Sequence, residues 1–438
     1  MNTSSAFLTD RYELTMVDAA LTAGTAHRRC SFELFSRRLS GARRYGVVAG
    51  MGRLLDLIDN FHFGTAELNW LSDNRVVSDH TLEWLSRFRF SGNILGYPEG
   101  EVFFPGSPVL VVEATFAEAV LLETLALSVL NYDSAVATAA SRMVSAAGNR
   151  PLAEMGSRRT HEESAVAAAR AAYIAGFSAT SNLEAGRRWG VPTMGTAAHA
   201  FTLLHDTEDD AFHAQITTLG TGTTLLVDTY DIAEAVRKAV AIAGPELGAV
   251  RIDSGDLPVV VAQVRAQLDS LGAHNTRITV TNDLDEHAVA SLAASPVDSY
   301  GVGTSVVVGS GSPTMGMVYK LVARQDDSGS WISTAKKSQD KASIGGRKQA
   351  FRQFDSCDTA SAEILVVANE DTEASPETPE NTREILVPLV LAGSIDTQYR
   401  GTEGVSLARH RHSASVAELP AEAMRLTRGD PVIPTLYR

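Results

Sequence analysis

Hydrophobic and polar positions follow two different rhythms along this chain of 438 residues. Up to about residue 130 the pattern is mixed. TDRYELTMVDAALTAG spaces its apolar residues as an amphipathic helix does, with Thr9 or Asp10 at its start and Gly24 at its end. HRRCSFELFSRR and RRYGVVAG read as strands, and MGRLLDLIDNF as a helix. GNILGYPEGEVFFPGSPVLVVEATF alternates between Gly/Pro turns, as a small antiparallel sheet does. The stretch from Ala117 to Gly148 predicts one long helix or two. Near residue 150 the rhythm changes. LAEMGSRR, VPTMGTAAHAF, TTLLVDTYD, GAVRIDSGD, TRITVTND and DSYGVGTS each predict a short strand followed by a loop. IAEAVRKAVAIAG, LPVVVAQVRAQLDSLG and LDEHAVASLAAS predict helices between them. Strand, loop and helix in repetition predict βα units on a parallel sheet, and single apolar strands in a row favour a barrel.

The length exceeds one ordinary core. The expected division is an N-terminal α/β domain over 1–130, an irregular α/β barrel with the active site over 131–335, and a last segment over 336–438. That last segment packs partly on the N-terminal domain. It follows the strand-like VYKLVARQ with a basic run from Lys336 to Arg352, then the acidic loop NEDTEASPETPENTRE, then a predicted helix at SASVAELPAEAMRL. No residue pattern repeats.

Composition narrows the class. Hydrophobic residues at 44% and charged residues at 21% fit a soluble enzyme and exclude a disordered chain. No apolar run approaches the ~20 residues of a membrane span. The first residues, MNTSSAFLTDRYELTM, lack a secretory pattern, and Cys30 and Cys357 form no metal or redox motif. A cytoplasmic protein is expected. A net charge of −14 argues against nucleic-acid binding. The cations nevertheless cluster, as in Arg37-Arg38, Arg158-Arg159 and the basic run, which suits small polyanions such as phosphates.

In a βα barrel, substrates bind at the C-terminal ends of the strands. The chemistry-bearing residues fall there: Arg158 and Arg159, then Thr196 and His199, then Asp228. Arg251, Asp253 and Asp256 follow in VRIDSGD, Asn282 and Asp283 in ITVTND, and Gly301, Gly303 and Thr304 in DSYGVGTS. Each has a plain structural explanation when taken alone. His199 can be a loop histidine, DSGDLP a turn and helix cap, and GVGTS a glycine turn. Taken together, they offer cations for phosphates, carboxylates for sugar hydroxyls or Mg2+, and a glycine-rich anion loop. His199 stands among small residues, Gly195 to Ala198, which leave room for a ligand. The combination points to a phosphorylated sugar beside a histidine free to take part in chemistry.

From "FLTDRYELTM" through "FELFSRRL", "MGSRRTHE", "GTAAHAF", "VDTYD", "RIDSGDL" and "YGVGTSVV" to "YKLV", the chain resembles the nicotinate phosphoribosyltransferases. The resemblance spans about residues 6–352. It implies a type II phosphoribosyltransferase fold: an irregular (β/α) barrel with an additional mixed α/β domain. It also implies a homodimer with shared active sites, and nicotinate mononucleotide formation coupled to ATP hydrolysis.

By the same resemblance, His199 is the histidine phosphorylated by ATP and Asp228 the acid that orients it. Thr196, Arg251 and Arg158 are nicotinate-binding positions, and Tyr12 stacks on the pyridine from the neighbouring subunit. Met155 takes the other face, where many relatives have Phe. Asp253, Gly301, Gly303, Thr304 and Arg159 hold phosphoribosyl pyrophosphate, with Mg2+ on the pyrophosphate. Arg37, Arg38, Lys337, Lys341 and Lys348 are candidates for ATP phosphates, in a chain that reads "SIGGRKQAFR" where relatives carry Pro-Gly. A nicotinamide-preferring relative would place an aspartate in "FSATSNLEAG", which here holds Ser181 and Asn182. A sugar-phosphate-binding regulator without turnover would have lost His199, Asp228 or Arg251, and all three are present.

Overall fold

The computed structural model describes residues 4–335, 344–368 and 378–438. Its contacts divide the chain into one unit made of residues 1–138 and 312–438, and another of residues 139–311. These limits differ from the expected ones. Met317–Gln325 pairs antiparallel with Arg29–Ser36, so the chain from Ser312 onward belongs with the N-terminal part.

The first unit is mixed α/β. A seven-stranded antiparallel sheet runs in the order Trp331–Ser333, Met317–Gln325, Arg29–Ser36, Leu110–Thr115, Asn93–Gly96, Val387–Leu391 and Ser394–Ile395. RCSFELFS is buried at nearly every position because the strand lies inside the sheet, between two partners. Helix Arg11–Thr22 buries Leu14, Val17 and Leu21, the three- and four-residue spacing that places side chains on one face. Gly24, just beyond its end, has φ +72. Phe61, Phe63 and Phe88 meet edge to face in the core.

A four-stranded sheet is built from Thr382–Glu384, Lys348–Phe354, Ala360–Val367 and Thr435–Tyr437. The C-terminal helix is Gly401–Ala417, ahead of the predicted 413–426. Its buried stripe, Val405, Ala408, His412 and Ser415, has helical spacing but half-polar composition. An apolar pattern search therefore misses it. Of the region expected to be helical, the α-helix takes only the part up to Ala417, and Ala421–Met424, after Pro420, forms a short 3-10 helix.

The helical stretch Phe116–Ala147 is long and apolar enough to cross a membrane by length and composition. It reaches a mean hydropathy of 1.3, and 67% of that window is buried inside the protein, as in a core helix.

The second unit carries six parallel strands: Leu152–Glu154, Ala179–Thr180, Thr224–Leu226, Ala249–Ile252, Arg277–Thr281 and Ser299–Val302. Side by side, the second of these pairs with the first, the first with the sixth, the sixth with the fifth, and so on to the third. One isolated parallel bridge joins Thr180 to Thr193. Around the sheet, neighbours are therefore consecutive in sequence, as in a βα barrel, with one interruption between Thr193 and Thr224. The barrel is irregular at that point.

VPTM, expected as a strand, contributes only this bridge, because Pro192 has no N–H to give to a ladder. Helices alternate with the strands. Ile232–Ala243 is typical: Asp231 accepts from the Glu234 N–H at 2.8 Å, and Ala235, Val236, Ala239 and Val240 face inward. Gly244, at φ +79, ends it.

At the opposite, strand-start end, a cleft of about 590 Å3 holds Arg150 and Arg265. Arg150 donates to the Leu292, Ala293 and Ser295 carbonyls and to the Tyr300 hydroxyl. Arg265 donates to Asp269 and to the Thr276 and Ala273 carbonyls. Their donors hold the fold, the role that end of a βα barrel ordinarily has.

Candidate active site

The site assembles at the strand ends of the second unit. His199 opens a short helix, His199–Leu204, after an extended Ala198. A Cβ added to Gly195 would meet nothing within 4 Å, so the small residues before the histidine do leave open space. The His199 Nε2 lies 3.2 Å from Asp228 Oδ1; its side chain is 41% exposed and that of Asp228 only 1%. Asp228 Oδ2 accepts from the Asp253 N–H at 2.9 Å and from the Ser254 hydroxyl at 2.6 Å. A carboxylate only accepts, so the His199 Nε2 donates to Asp228, and in the neutral form of the ring Nδ1 keeps its lone pair.

Arg251 sits beside this pair with a 14% exposed side chain. Its Nε donates to Thr281 Oγ1 at 2.9 Å and its Nη1 to Thr196 Oγ1 at 3.1 Å and the Ala197 carbonyl at 3.5 Å. Nη2 lies 3.3 Å from Asp253 Oδ1. Most of the five guanidinium N–H groups are thus engaged by protein. Asp253 also accepts from the Thr281 hydroxyl. The strands explain the grouping: Arg251 lies opposite Leu226 on one neighbour and Thr279 on the other, so its side chain and Thr281 reach the same end.

The DSGDLP segment forms the expected turn, with Gly255 at φ +89 and Asp256 at the helix N-cap position, yet the Asp256 side chain makes no capping bond. Asn282 and Asp283, just past Thr281, have φ values of 149° and 38°. Non-glycine residues with positive φ store strain and concentrate at functional sites.

Further along the sheet, past Arg277–Thr281, Met155 donates its N–H to Val302 O at 2.8 Å and packs over Gly301. A Cβ on Gly301 would lie 2.7 Å from the Met155 sulfur and 2.5 Å from Thr281 Cγ2, so only glycine fits. Gly303 precedes the short helix Thr304–Val307. Arg158 and Arg159 are exposed in the loop after Glu154. Buried Glu154 accepts from the Gly156 N–H and the Thr180 hydroxyl, which fixes the start of that loop. Burial pushes its carboxyl above the ordinary value, against those two hydrogen bonds.

The structure therefore brings His199, Asp228, Thr196, Arg251 and Asp253 into one network, and Met155, Gly301 and Gly303 into one contact set. The other named residues belong to the first unit. Tyr12 stands in the first turn of Arg11–Thr22, 45% exposed, its phenol pushed up to about 12 by burial and by Glu123 and Glu13. Arg38 is exposed, and the buried Arg37 Nε has no hydrogen-bond partner among the described residues. Lys348 is buried and donates to both Glu33 oxygens, at 2.8 and 3.0 Å, and to the Ile344 and Gly346 carbonyls. Its ammonium is occupied by the fold, with no donor left for ATP phosphates. Lys337 and Lys341 lie outside the described residues.

Sequence reading missed Ser254, Thr281 and Glu154 as site residues. Thr281 carried a signal, since it shares a strand face with Thr279 in ITVT; nothing set Ser254 apart from an ordinary turn serine.

A parallel βα unit whose strand ends gather a histidine–aspartate pair, an arginine and a glycine-lined loop defines a barrel protein with a polar strand-end site. A model of the nicotinate phosphoribosyltransferase (NAPRTase) N-terminal domain matches residues 7–131. Over 436 residues the chain is 53% identical to nicotinate phosphoribosyltransferase pncB1 of Mycobacterium tuberculosis, covering 98% of this chain and 94% of that one. It is 36% identical over 356 residues to nicotinate phosphoribosyltransferase of Bacillus subtilis, covering 78% and 72%. The crystal structure of human nicotinic acid phosphoribosyltransferase matches with a TM-score of 0.82 at 26% identity, covering 98% of this chain and 97% of that one. The chain belongs to the nicotinate phosphoribosyltransferase family.

Proposed function

We propose that this protein transfers the phosphoribosyl group of 5-phosphoribosyl 1-pyrophosphate to nicotinate, coupled to ATP hydrolysis through a phosphohistidine at His199. The products are nicotinate mononucleotide and pyrophosphate, the first step of nicotinate salvage to NAD. The observation that carries the reading is the 3.2 Å His199–Asp228 contact on the strand-end rim, tied to Arg251 and Asp253.

The chemistry has two linked halves. In the first, the His199 Nδ1 lone pair attacks the γ-phosphorus of ATP, and the bond to the β–γ bridging oxygen breaks as ADP leaves. Asp228 holds the ring and offsets the positive charge the imidazole gains. In the second, the nicotinate nitrogen bonds to C1 of the ribose while the C1–O bond to pyrophosphate breaks. No protein nucleophile attacks carbon; positioning and charge stabilisation lower the barrier. Water then attacks the phosphohistidine phosphorus, which releases phosphate and restores the neutral ring.

Arg251 supplies positive charge for the nicotinate carboxylate and Thr196 a hydroxyl, while Met155 and Arg158 line the pyridine. Gly301, Gly303, Thr304 and Arg159 take the phosphoribosyl phosphates. Arg37, with its unpartnered Nε, and Arg38 are the remaining described candidates for ATP phosphates. The protein acts in the cytoplasm as a homodimer in which Tyr12 of one protomer stacks in its partner's site.

Asn182 caps the helix Leu183–Trp189 and donates to Ser157 Oγ at 3.0 Å. The acid of that segment, Glu184, pairs with Arg187 and Arg188. With no aspartate there to accept from an amide, the reading favours nicotinate over nicotinamide.

Mg2+ takes one or two carboxylates plus substrate oxygens and keeps several waters. Among the described residues, no three His, Cys, Asp or Glu side chains gather into a metal cage. Asp253, 30% exposed on the rim, is a carboxylate of the required kind. When bound there on the pyrophosphate, Mg2+ would neutralise the charge of the leaving group.

The test is product formation: purified protein with nicotinate, 5-phosphoribosyl 1-pyrophosphate, Mg2+ and ATP should yield nicotinate mononucleotide. Its absence, with folded protein, overturns the reading.

A further inference from the structure

Asp228 serves two neighbours with its two oxygens. Oδ1 faces His199, and Oδ2 holds the turn that carries Asp253, through the Asp253 N–H at 2.9 Å and the Ser254 hydroxyl at 2.6 Å. The carboxylate is almost wholly shielded from solvent, so water cannot absorb a change in its surroundings. A second path returns to the histidine segment. Thr281 holds both Asp253 and Arg251, and Arg251 reaches Thr196 and the Ala197 carbonyl just before His199. The hydrogen bonds close a ring.

The geometry points to Ser254 as a positioning residue that couples the state of His199 to the Asp253 turn, and through it to phosphoribosyl pyrophosphate binding. This rests on the phosphohistidine reading above. A phosphoryl group on Nδ1 alters the Nε2–H···Oδ1 bond, and Asp228 answers by shifting against the two donors on Oδ2. The Asp253 N–H is backbone and moves only with the turn. Ser254 provides the side-chain donor on that oxygen, from a turn whose next residue, Gly255, has φ +89. Without its hydroxyl, Oδ2 loses a charge-assisted bond and is tied to the turn by the Asp253 N–H alone, so rotation of the carboxylate pulls the turn through one bond instead of two.

Coupling free energy is reciprocal, so 5-phosphoribosyl 1-pyrophosphate must change phosphohistidine stability by the factor with which phosphorylation changes its affinity. The experiment measures the KM for 5-phosphoribosyl 1-pyrophosphate with and without ATP in wild type, Ser254→Ala and Ser254→Thr, with melting temperatures alongside. The ATP-induced change in KM is expected to shrink about tenfold or more in Ser254→Ala. Ser254→Thr, which keeps the hydroxyl, should recover most of it. The half-life of the phosphohistidine in Ser254→Ala should respond correspondingly less to 5-phosphoribosyl 1-pyrophosphate.

Should Ser254→Ala not fold, Ser254→Cys keeps the volume with a weaker donor and carries the same expectation. A folded variant with the wild-type ATP effect overturns the inference and leaves the enzymatic reading intact. A wild type that makes no nicotinate mononucleotide, or whose KM ignores ATP, removes the underlying reading and this inference with it.

Discussion

The imidazole of His199 and the carboxylate of Asp228 meet at 3.2 Å through Nε2, with Asp228 Oδ2 already holding two donors from the following strand end. The acid is therefore fixed before the histidine is, and the ring is left with Nδ1 as its nucleophilic atom. Asp228→Asn keeps one oxygen acceptor but loses the charge. A hydrogen bond to a charged group contributes about 1.5–3 kcal/mol, or roughly 10- to 150-fold. The rate of ADP formation should fall by that range, measured in single turnover with 5-phosphoribosyl 1-pyrophosphate present. An unchanged rate would mean that Asp228 serves only the turn.

Arg251 is tied to Thr281, Thr196, the Ala197 carbonyl and Asp253, which leaves it little free fork for a bidentate carboxylate clamp. On the proposed reading it acts on nicotinate mainly through its charge and the donors that remain. Arg251→Ala should raise the nicotinate KM by roughly 10-fold or more while altering nicotinamide use little. Arg251→Lys should recover part of the loss, because a point charge survives without the fork. Equal losses for both pyridines would make Arg251 a structural clamp on the rim.

Gly301 and Gly303 offer a matched pair. Alanine at 301 would press on Thr281 and Met155, whereas a Cβ at 303 meets only the Met155 carbonyl, at 3.4 Å. Gly301→Ala is expected to cost about 1–3 kcal/mol through overpacking and to raise the KM for both substrates. Gly303→Ala should melt within a degree or two of wild type. Thermal melts and steady-state kinetics on both variants check this, and equal melting temperatures would contradict it.

Glu13, buried with one oxygen accepting from the Thr124 N–H and the other unpartnered among the described residues, has its carboxyl pushed up to about 7 by burial. The native state then holds this proton where the unfolded state, titrating near 4.5, has lost it. Stability from this group is full below about pH 4.5 and declines as pH rises towards 7. Buried His412, lowered to about 4 by burial and by Arg409, acts in the opposite sense and weakens the fold as pH falls below 6.5. Single variants separate the two. Glu13→Gln should gain on wild type by about 1–3 kcal/mol between pH 5 and 8 in urea unfolding. A constant difference across that range would contradict the shift.

Much of this was legible in the sequence, for physical reasons. The parallel strands are largely apolar and their ends carry the polar residues, so LLVD, VRID and ITVT announced both the sheet and the end at which polar side chains gather. Period and punctuation do not report three-dimensional closure. The interruption of the barrel between Thr193 and Thr224 leaves no mark in the apolar pattern, and the long C-terminal helix buries His412 and Ser415, which no apolar count selects. Lys348 looked like one more cation in a basic run; its burial against Glu33 depends on a strand more than 300 positions away. Ser254 gained its meaning only when Asp228 was seen beside it.

The most direct measurement is transfer of label from γ-32P ATP to the purified protein, followed by peptide mapping, with His199→Asn in parallel. Acid-labile, base-stable label is expected on the peptide containing His199, on Nδ1, and absent from the Asn variant, which should keep at most slow, ATP-independent synthesis of nicotinate mononucleotide. Label that persists in His199→Asn, or ATP-stimulated synthesis with no label on His199, would contradict it.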